Sequence, residues 1–416
     1  MSLDELLARE ASLDAEILAQ EDALRQLRRD RCLVWRQINA LRDPIVRLPP
    51  ELTTEVFMRT LDPTISAAPS HAGMPSLLLN ICSAWTSIVI STPALWATIR
   101  IDFSRLTDGL RAALPLWLDR AKNHALSLYL KGLAFDEDIM SLIWSHAAHI
   151  GSLDIRLPVK RMPHHIEEAE LWGSCRPEHL PILETLRIQH SDVNASTRLR
   201  SIPQLLSVAP NLLEFFFDRL DTHPEALTDE LILPRLRQFS FGRVHSRCFW
   251  SGANEFLSLP NLEVLTVSAQ AMSMNDLLAF LKRSSPPLRT LIFESLTFYP
   301  DDLFPSFQPL EYLTRLEFVF ANARMVEKIL VPLAEDLSLL PHLDTLILES
   351  PHSVFESFWI ASSGLLLARR RRFRAFRIER ILPASKGPLL LSPETLVSFA
   401  ELVDEGMDLH IDGHFK

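Results

Sequence analysis

The 416-residue sequence has little glycine, and this scarcity excludes one class of function. It contains 11 glycines, and neither a GxGxxG nor a GxxxxGK string occurs. Nucleotide binding through a glycine-rich loop needs such a string, because glycine lets the backbone approach a phosphate closely. The GxSxG and HExxH strings of hydrolases and zinc proteases are also absent. The sequence offers no catalytic motif, and we expect a protein that is not an enzyme.

An excess of basic charge is lacking as well. Lys and Arg total 42 against 52 Asp and Glu, a net charge of -10. Proteins that bind nucleic acid neutralise phosphates with basic side chains, so nucleic acid is not an expected partner. Cys32, Cys82, Cys175 and Cys248 are far apart in sequence, without the close pairs of a zinc site or a disulfide framework. We expect no metal, no cofactor and a reducing compartment, the cytoplasm or the nucleus.

Long apolar runs are missing too. No stretch reaches the roughly 18 apolar residues that a membrane-spanning helix needs. The amino terminus is acidic and interrupted by charges, unlike a signal peptide. With 47% hydrophobic and 23% charged residues, the composition is that of a folded protein with no membrane partner. Its length allows two or three domains.

What the sequence does contain begins with a heptad pattern over residues 3–45. Glu10, Gln20 and Arg31 interrupt the apolar seam. Two interpretations remain open: a coiled coil that self-associates or recruits a partner, and a long amphipathic helix that packs on its own chain or projects as a stalk. The apolar seam positions are Leu3, Leu6, Leu13, Ile17, Leu24, Leu27, Val34, Ile38, Leu41 and Ile45.

Three short motifs follow between residues 45 and 99. LPPE at residues 48–51 places two prolines at the start of a helix, where a backbone N–H has no helical partner. After a proline-rich loop, CSAW at residues 82–85 belongs to a second apolar helix, for which Ser76 is a possible cap. TPALW at residues 92–96 then begins a turn.

In this order and spacing, the three motifs resemble an F-box, with Thr86 standing where an arginine is common. The resemblance implies helices that dock on a Skp-type adaptor, which joins them to a cullin scaffold and a RING subunit in a ubiquitin ligase. For Trp85 and Trp96, the alternative to adaptor contact is an internal role in the core. The adaptor contacts that the resemblance implies are Leu48, Pro49, Leu52, Val56, Phe57, Ile81, Trp85 and Trp96.

A different pattern recurs in the rest of the chain, where an apolar residue is followed at plus three and plus five by two more. Each occurrence predicts a strand with one buried face, and helical stretches such as residues 273–283 and 392–407 lie between them. One strand and one helix per unit are typical of a leucine-rich-repeat solenoid. Weaker versions begin at Trp96 and Ala125. The nine clear first positions recur at near-regular intervals and are Ile150, Leu183, Leu212, Leu236, Leu262, Leu288, Leu313, Leu343 and Phe373.

The chain as a whole resembles fungal F-box proteins with irregular leucine-rich repeats. The predicted fold class is α/β, with a heptad helix over residues 1–44, a helical F-box over 45–99 and a leucine-rich-repeat-like solenoid over 100–416. The predicted function is that of a substrate-receptor subunit of an SCF-type ubiquitin ligase, with an unidentified protein as substrate. The alternative is a non-degradative scaffold that uses the heptad helix and the repeat surface.

The predicted substrate surface consists of the residues between the two buried positions of each strand, which point away from the core. They are Asp154, Arg187, Phe216, Ser240, Thr266, Ile292, Glu317, Ile347 and Arg377. The predicted substrate contacts among them are Arg187, Phe216, Ile292, Glu317 and Ile347. The basic run at residues 367–380 is either a nuclear address or the solvated face of one strand unit, and its fit to the repeat favours the second interpretation.

Overall fold

The computed structural model describes residues 3–42, 44–60, 75, 77–132, 135–157, 177–190, 197–198, 202–217, 220–221, 230–241, 257–268, 273–294, 300–351, 354–379 and 391–411. Its contacts divide the chain into two compact units. One contains residues 1–99 and 112–124, and the other contains residues 100–111 and 125–416. The first is mainly helical and the second is mixed α/β. The three-part division expected from the sequence stays a prediction.

The helical unit begins with α1, Leu3–Arg42, followed by α2, Pro50–Thr60, and α3, Ser83–Ser91. Short 3-10 turns at Pro44–Arg47, Leu78–Asn80 and Pro93–Trp96 connect them. Strand β1, Thr98–Asp102, and helix α4, Asp108–Ala121, run across the division between the two units.

The start of α3 differs from the expectation. The helix expected to begin after residue 76 is divided into the turn Leu78–Asn80 and α3. The cap of α3 is Cys82, whose Sγ accepts a hydrogen bond from the Trp85 backbone N–H at 3.5 Å. Ser76 lies outside the described residues. A cysteine was not predicted as a cap because serine, threonine, aspartate and asparagine are the usual residues there.

Helices of the α/β unit follow the predicted positions where these can be compared. The Ser273 and Ser392 hydroxyls accept hydrogen bonds from the backbone N–H groups of Asp276 and Thr395, which confirms the predicted starts of two helices. The second ends at Asp404, earlier than predicted. The helices are α5 (Glu137–Ser145), α6 (Ile202–Ser207), α7 (Met274–Ser284), α8 (Pro300–Phe307), α9 (Ala323–Glu335), α10 (Glu356–Ala368) and α11 (Pro393–Asp404).

Strands of the α/β unit follow one another along a long sheet. They are β2 (Leu126–Lys131), β3 (Ile150–Leu157), β4 (Thr185–His190), β5 (Thr197–Arg198), β6 (Glu214–Phe217), β7 (Leu220–Asp221), β8 (Leu231–Ile232), β9 (Gln238–Phe241), β10 (Leu257–Ser258), β11 (Val264–Ser268), β12 (Thr290–Glu294), β13 (Arg315–Val319), β14 (Thr345–Glu349), β15 (Ala375–Glu379) and β16 (Asp408–Ile411).

Within the described residues, the long sheet has twelve strands in the order β1-β2-β3-β4-β6-β9-β11-β12-β13-β14-β15-β16, so its strands follow chain order. Every pairing from β2 to β16 is parallel. Two further parallel pairs, β5 with β7 and β8 with β10, form separate small sheets. The predicted class is confirmed as a mixed α/β chain with a long parallel sheet.

A strand lies at each of the nine predicted units, and the two weaker versions correspond to β1 and β2. Strand β16 was missed. Its buried residues Leu409 and Ile411 fit the plus-three and plus-five positions, but the first position is Gly406. This glycine has a φ of 95°, a left-handed conformation that favours glycine. The strand was missed because the repeat pattern requires an apolar first residue, and the left-handed backbone at this position is occupied by glycine instead.

The core of the α/β unit is built from two adjacent rows of in-register residues. The plus-three row is Leu153, Leu186, Phe215, Phe239, Leu265, Leu291, Leu316, Leu346, Phe376 and Leu409. The plus-five row is Ile155, Ile188, Phe217, Phe241, Val267, Phe293, Phe318, Leu348, Ile378 and Ile411, and all members of both rows are buried. Burial of one such side chain contributes about 1.5–3 kcal/mol. Each strand is therefore held by its two neighbours through the same two positions.

The described part of the basic run, residues 367–379, covers the end of α10, the turn before β15 and β15 itself, and residue 380 lies outside the described residues. Arg374 pairs with Asp344 at 3.6 Å, and Arg377 pairs with Asp408. Arg369, in contrast, is 2% exposed and donates hydrogen bonds to backbone carbonyls. The expectation of a solvated face is therefore wrong for Arg369, which fills a structural position.

Candidate protein-binding surfaces

Helix α2 carries apolar side chains on two neighbouring faces. Thr53 and Phe57, four residues apart, point into the helical unit and are each 1% exposed. Leu52 and Val56, one position earlier on the helix, are exposed, Leu52 at 54%. Because residues four apart lie one above the other on a helix, Leu52 and Val56 form an apolar strip that is open to solvent.

Leu48 and Pro49 extend this strip at the start of α2. Both are exposed. The Leu48 backbone N–H donates to the Ile45 carbonyl at 3.0 Å, and the Thr53 N–H donates to the Pro49 carbonyl at 3.1 Å. The Thr53 hydroxyl also donates to the Pro49 carbonyl, at 3.2 Å. The chain is thus fixed where it enters α2. We call the exposed residues Leu48, Pro49, Leu52 and Val56 the α2 face.

Phe57 and Trp96, which the F-box resemblance implied as adaptor contacts, lie in the core. The Phe57 ring packs on the Trp85 ring, with 4.8 Å between centroids. The Trp96 indole N–H donates to the Val89 carbonyl at 2.8 Å, and Trp96 is 1% exposed. The guanidinium of Arg120 lies 4.6 Å from its ring centroid. Both rings are covered by the helical unit itself, and the implied contact of Phe57 and Trp96 with an adaptor stays a prediction.

Ile81 and Trp85, the two other implied contacts, are half-buried. The Trp85 Nε1 atom is itself buried and has no acceptor among the described residues. Both side chains therefore lie between the core and the surface.

Thr86, where an arginine is common in an F-box, has a local role. Its hydroxyl donates to the carbonyls of Leu79, at 2.8 Å, and Cys82, at 2.9 Å. These bonds tie the turn Leu78–Asn80 to the first turn of α3. A threonine at this position therefore supports the local fold through short-range bonds that a longer arginine would not form in the same way.

Two exposed apolar residues of the helical unit were missed from the sequence. Leu77 and Ile90 are about half exposed. Each belongs to a run of three apolar residues, at residues 77–79 and 88–90. Three consecutive residues on a helical turn cannot all face the same core. The runs themselves were thus the signal that one member of each lies at the surface.

The second candidate surface is a row of residues across the long sheet. The nine residues predicted to point away from the core lie in register, from Asp154 on β3 to Arg377 on β15. Tyr129 on β2 and His410 on β16 continue the row at its ends. We call these eleven residues the central row. Its position between the two buried rows explains why it alternates with them along each strand.

Exposure differs among the predicted substrate contacts of the central row. Arg187 is exposed, and Phe216 and Ile292 are half-buried. Glu317 and Ile347 are 8% and 6% exposed. Open exposure of Ile347 was therefore a wrong prediction. Glu317 and Arg377 lie beside Ile347 on the two adjacent strands. Side chains in register on the same face of a sheet are close enough to touch, so these neighbours cover Ile347.

The charged residues of the central row are paired with neighbours on the same face of the sheet. Within single strands, carboxylates of Asp154 and Glu317 pair with the arginines two residues away, at 3.1 Å and 2.7 Å. Arg187 pairs with Glu214 on the next strand at 3.3 Å. The hydrogen bonds that the Arg156 guanidinium donates to the Asp154 carboxylate raise the pKa of Arg156. A partner would therefore find these charges already neutralised, and Phe216 and Ile292 as the accessible apolar positions.

Metal-binding clusters and membrane-spanning helices would indicate other functions. In the described ranges, no group of three or more His, Cys, Asp or Glu residues is arranged to hold a metal ion. Of the helices that the structure describes, none is both long and apolar enough to cross a membrane.

Comparison of the chain with protein-family models and with curated protein sequences finds no match. Functional inference therefore depends on the α2 face, the central row and the motifs at residues 48–51, 82–85 and 92–96.

Proposed function

We propose that the protein is the substrate-receptor subunit of an SCF-type ubiquitin ligase. The α2 face docks on a Skp-type adaptor, which connects the chain to a cullin scaffold and a RING subunit. The central row binds the protein substrate, and the chain itself performs no chemistry. The observation that carries this proposal is the exposed pair Leu52 and Val56 on α2, at positions where the F-box resemblance implies adaptor contacts.

The physical argument starts from the cost of exposed apolar side chains. An amphipathic helix that leaves an apolar strip open is stabilised when a partner groove covers that strip. Leu48, Leu52 and Val56 are all exposed. Burial of one such side chain contributes about 1.5–3 kcal/mol, which corresponds to roughly a tenfold to a hundredfold change in affinity. Burial of these three side chains is one contribution to affinity, and the remaining contacts of the complex offset the loss of translational and rotational freedom.

We propose a smaller set of direct adaptor contacts than the resemblance implies. Leu48, Pro49, Leu52 and Val56 remain as direct contacts because they are exposed. Ile81 and Trp85 are placed at the margin of the contact because both are half-buried. Phe57 and Trp96 act indirectly, by holding α2 and α3 in position.

We infer further that the α/β unit is an irregular leucine-rich-repeat solenoid. The near-regular recurrence of the strands and their pairing in chain order support this assignment. Asparagine side chains also connect successive units. Asn211 donates to the Pro181 carbonyl at 2.6 Å, and Asn261 donates to the Pro234 carbonyl at 2.7 Å. In such a solenoid, the central row is the natural surface for a protein substrate.

A second candidate function is a non-degradative scaffold. The observation in its favour is α1, whose apolar seam is exposed along the helix and belongs to neither the α2 face nor the central row. A scaffold would use this seam to assemble a complex without an adaptor. A measurement of adaptor binding distinguishes the two functions, because only the ligase subunit requires the adaptor.

The test is a binding titration of the purified full chain with a purified Skp-type adaptor. The test variant carries Leu52→Ala and Val56→Ala, and the matched control carries Leu116→Ala, an exposed leucine on α4 in the helical unit. We expect the double variant to bind at least thirtyfold more weakly. The control should bind like wild type, and circular dichroism should show that all three chains are folded. Absence of binding by the wild-type chain would refute the ligase proposal and leave the scaffold.

A further inference from the structure

Helix α1 presents an apolar seam to solvent along its whole length. With Leu3 at heptad position a, every apolar a and d residue from Leu3 to Leu41 is exposed. Among the α1 side chains that the structure describes, only Arg36 is half-buried. Arg36 occupies position f, on the side of the helix opposite the seam. Since α1 packs on α3 within the helical unit, the seam faces away from that contact and is free for another molecule.

The charges of α1 are separated along the helix. Over residues 6–22, five carboxylates and one arginine give a net charge of -4. Over residues 23–42, six arginines and one aspartate give +5. The helix dipole favours this polarity only within the first and last turns, so it does not account for charges in the middle of a 40-residue helix. A surface with two halves of opposite charge is complementary to an inverted copy of itself.

The polar residues within the seam favour the same arrangement. In a parallel, in-register pair, Glu10 would face Glu10 and Arg31 would face Arg31 of the other copy, and each like-charged layer is destabilising. In an antiparallel pair, position a faces position d. Full overlap then sets Leu3 opposite Leu41 and Ile17 opposite Leu27, with Glu10 one layer away from Arg31 of the other copy. The side chains of Glu10 and Arg31 are long enough to form an ion pair across one layer.

The flanking positions slightly disfavour the antiparallel arrangement. It places Asp14 beside Arg28, an attractive contact, but Glu16 beside Asp30 and Glu21 beside Glu21 of the other copy, two repulsive ones; Arg25 pairs with Glu21 within each helix and offsets part of the second repulsion. The parallel pair places Arg9 beside Asp14 and Glu16 beside Glu21, one attractive and one repulsive contact. The antiparallel orientation is therefore inferred from the seam and the charged halves.

We propose that α1 pairs with α1 of a second copy of this chain as an antiparallel two-stranded coiled coil. The occupant of the exposed seam is thus the same helix, inverted. Pairing covers the apolar a and d residues of both copies and sets each acidic half against a basic half. The assembly does not depend on adaptor binding, because the α2 face lies outside α1.

The orientation is tested by disulfide crosslinking of the full chain in a Cys32→Ser background, since Cys32 is an exposed thiol on α1. One chain carries Leu6→Cys and another carries Ile38→Cys, positions that face each other only in the antiparallel pair. We expect crosslinked dimer in the mixture and none in either chain alone beyond the level of the background chain. Crosslinking of the Leu6→Cys chain with itself would show a parallel pair and overturn the proposal.

Charge exchange gives an independent test by sedimentation equilibrium. The variants are Glu10→Arg, Arg31→Glu and the double variant with both changes. In the antiparallel pair each single variant creates like-charged neighbours, and we expect about tenfold weaker dimerisation. The double variant restores opposite charges and should dimerise like wild type. A monomeric wild-type chain, or single variants that dimerise normally, would overturn the proposal. Circular dichroism confirms that each variant keeps its helix content.

Discussion

The phenyl ring of Phe57 packs on the indole of Trp85, with 4.8 Å between ring centroids and 46° between ring planes. This contact joins α2 to α3. With Phe57 and Thr53 in the core, Leu52 and Val56 on the adjacent face are turned to solvent. The rotation of α2 is thus consistent with the aromatic contact and with the hydrogen bonds that Thr53 makes to Pro49 at the start of the helix.

Replacement of Phe57 by alanine is expected to destabilise the helical unit. A fully buried phenylalanine replaced by alanine costs about 3–5 kcal/mol, because apolar contact is lost and a cavity remains. We expect a lower thermal midpoint by circular dichroism and weaker adaptor binding as a consequence. Phe57→Leu fills most of the cavity and should be milder on both measures. If Phe57→Ala kept full stability and lost only adaptor binding, Phe57 would be a direct contact and its core assignment would be wrong.

Arg369 is expected to be among the most sensitive residues of the α/β unit. Its guanidinium donates to the carbonyls of Leu333, Leu339 and Leu340 at 2.8, 2.6 and 2.9 Å. Arg369→Met would remove the donor of all three carbonyls, of which that of Leu340 keeps a bond from the Leu343 backbone N–H, at a cost of about 2–5 kcal/mol in the free energy of unfolding. Arg369→Lys should restore little, because one ammonium cannot reach acceptors spread around a planar guanidinium.

The control for Arg369 is its neighbour Arg370. This side chain is about half exposed and lies 3.5 Å from Glu405. Exposed pairs of this kind contribute about 0–1 kcal/mol, so Arg370→Met should leave stability nearly unchanged. Urea unfolding followed by circular dichroism compares the two. Equal effects of both substitutions would contradict the role assigned to Arg369.

Residue patterns along the sequence predicted elements better than they predicted exposure. The strands were found because Leu186 and Ile188, and their equivalents in other units, repeat a spacing that depends only on the chain's own geometry. The burial of Ile347 depends on side chains of neighbouring strands, which are distant in sequence. Arg369 was assigned to a solvated face because its carbonyl acceptors belong to the preceding unit of the chain. Only the folded chain brings such groups together.

The α2 face was predicted in part for the same reason. Proline at the start of a helix and apolar residues at helical spacing located α2. Which apolar residue of α2 faces inward depends on contacts with other parts of the chain. Phe57 on α2, for example, packs on the ring of Trp85 on α3. The sequence therefore identified the helix and its apolar residues, and the structure separated Phe57 in the core from Leu52 and Val56 at the surface.

Asparagine side chains between successive repeats provide another test of the solenoid. The Asn211 side chain donates to the Pro181 carbonyl at 2.6 Å and accepts from Arg235 at 2.9 Å. Asn261 makes the equivalent bond to Pro234 from an exposed position. One hydrogen bond contributes about 0.5–1.5 kcal/mol, so both alanine variants should be destabilised, Asn211→Ala more than Asn261→Ala. Thermal unfolding measures the difference, and the opposite order would show that the second bond and the greater burial of Asn211 add no stability.

The pair of Arg111 and Asp136 predicts a defined pH dependence. The hydrogen bond from Arg111, at 2.6 Å, holds the pKa of the Asp136 carboxyl below its ordinary value, and the backbone N–H of Ile139 adds to this effect. A carboxyl with a lowered folded-state pKa stabilises the fold above the unfolded-state pKa of about 3.9, and this stabilisation is lost as the pH falls through the lower folded-state value. We therefore expect Asp136→Asn to lower the thermal midpoint by a few degrees at pH 7. The difference from wild type should narrow as the pH falls below about 4.

The matched variant is Arg111→Met, which removes the partner and leaves the cap at Asp136 in place. It should reproduce most of the loss at pH 7, and the double variant Arg111→Met, Asp136→Asn should be less destabilised than the sum of the single effects, because the two residues share one interaction. Thermal melts at pH 7, 4 and about 2.5 give the comparison. A loss for Asp136→Asn that is as large at the lowest pH as at pH 7 would show that the carboxylate charge does not contribute, and that the residue acts only as the cap of α5.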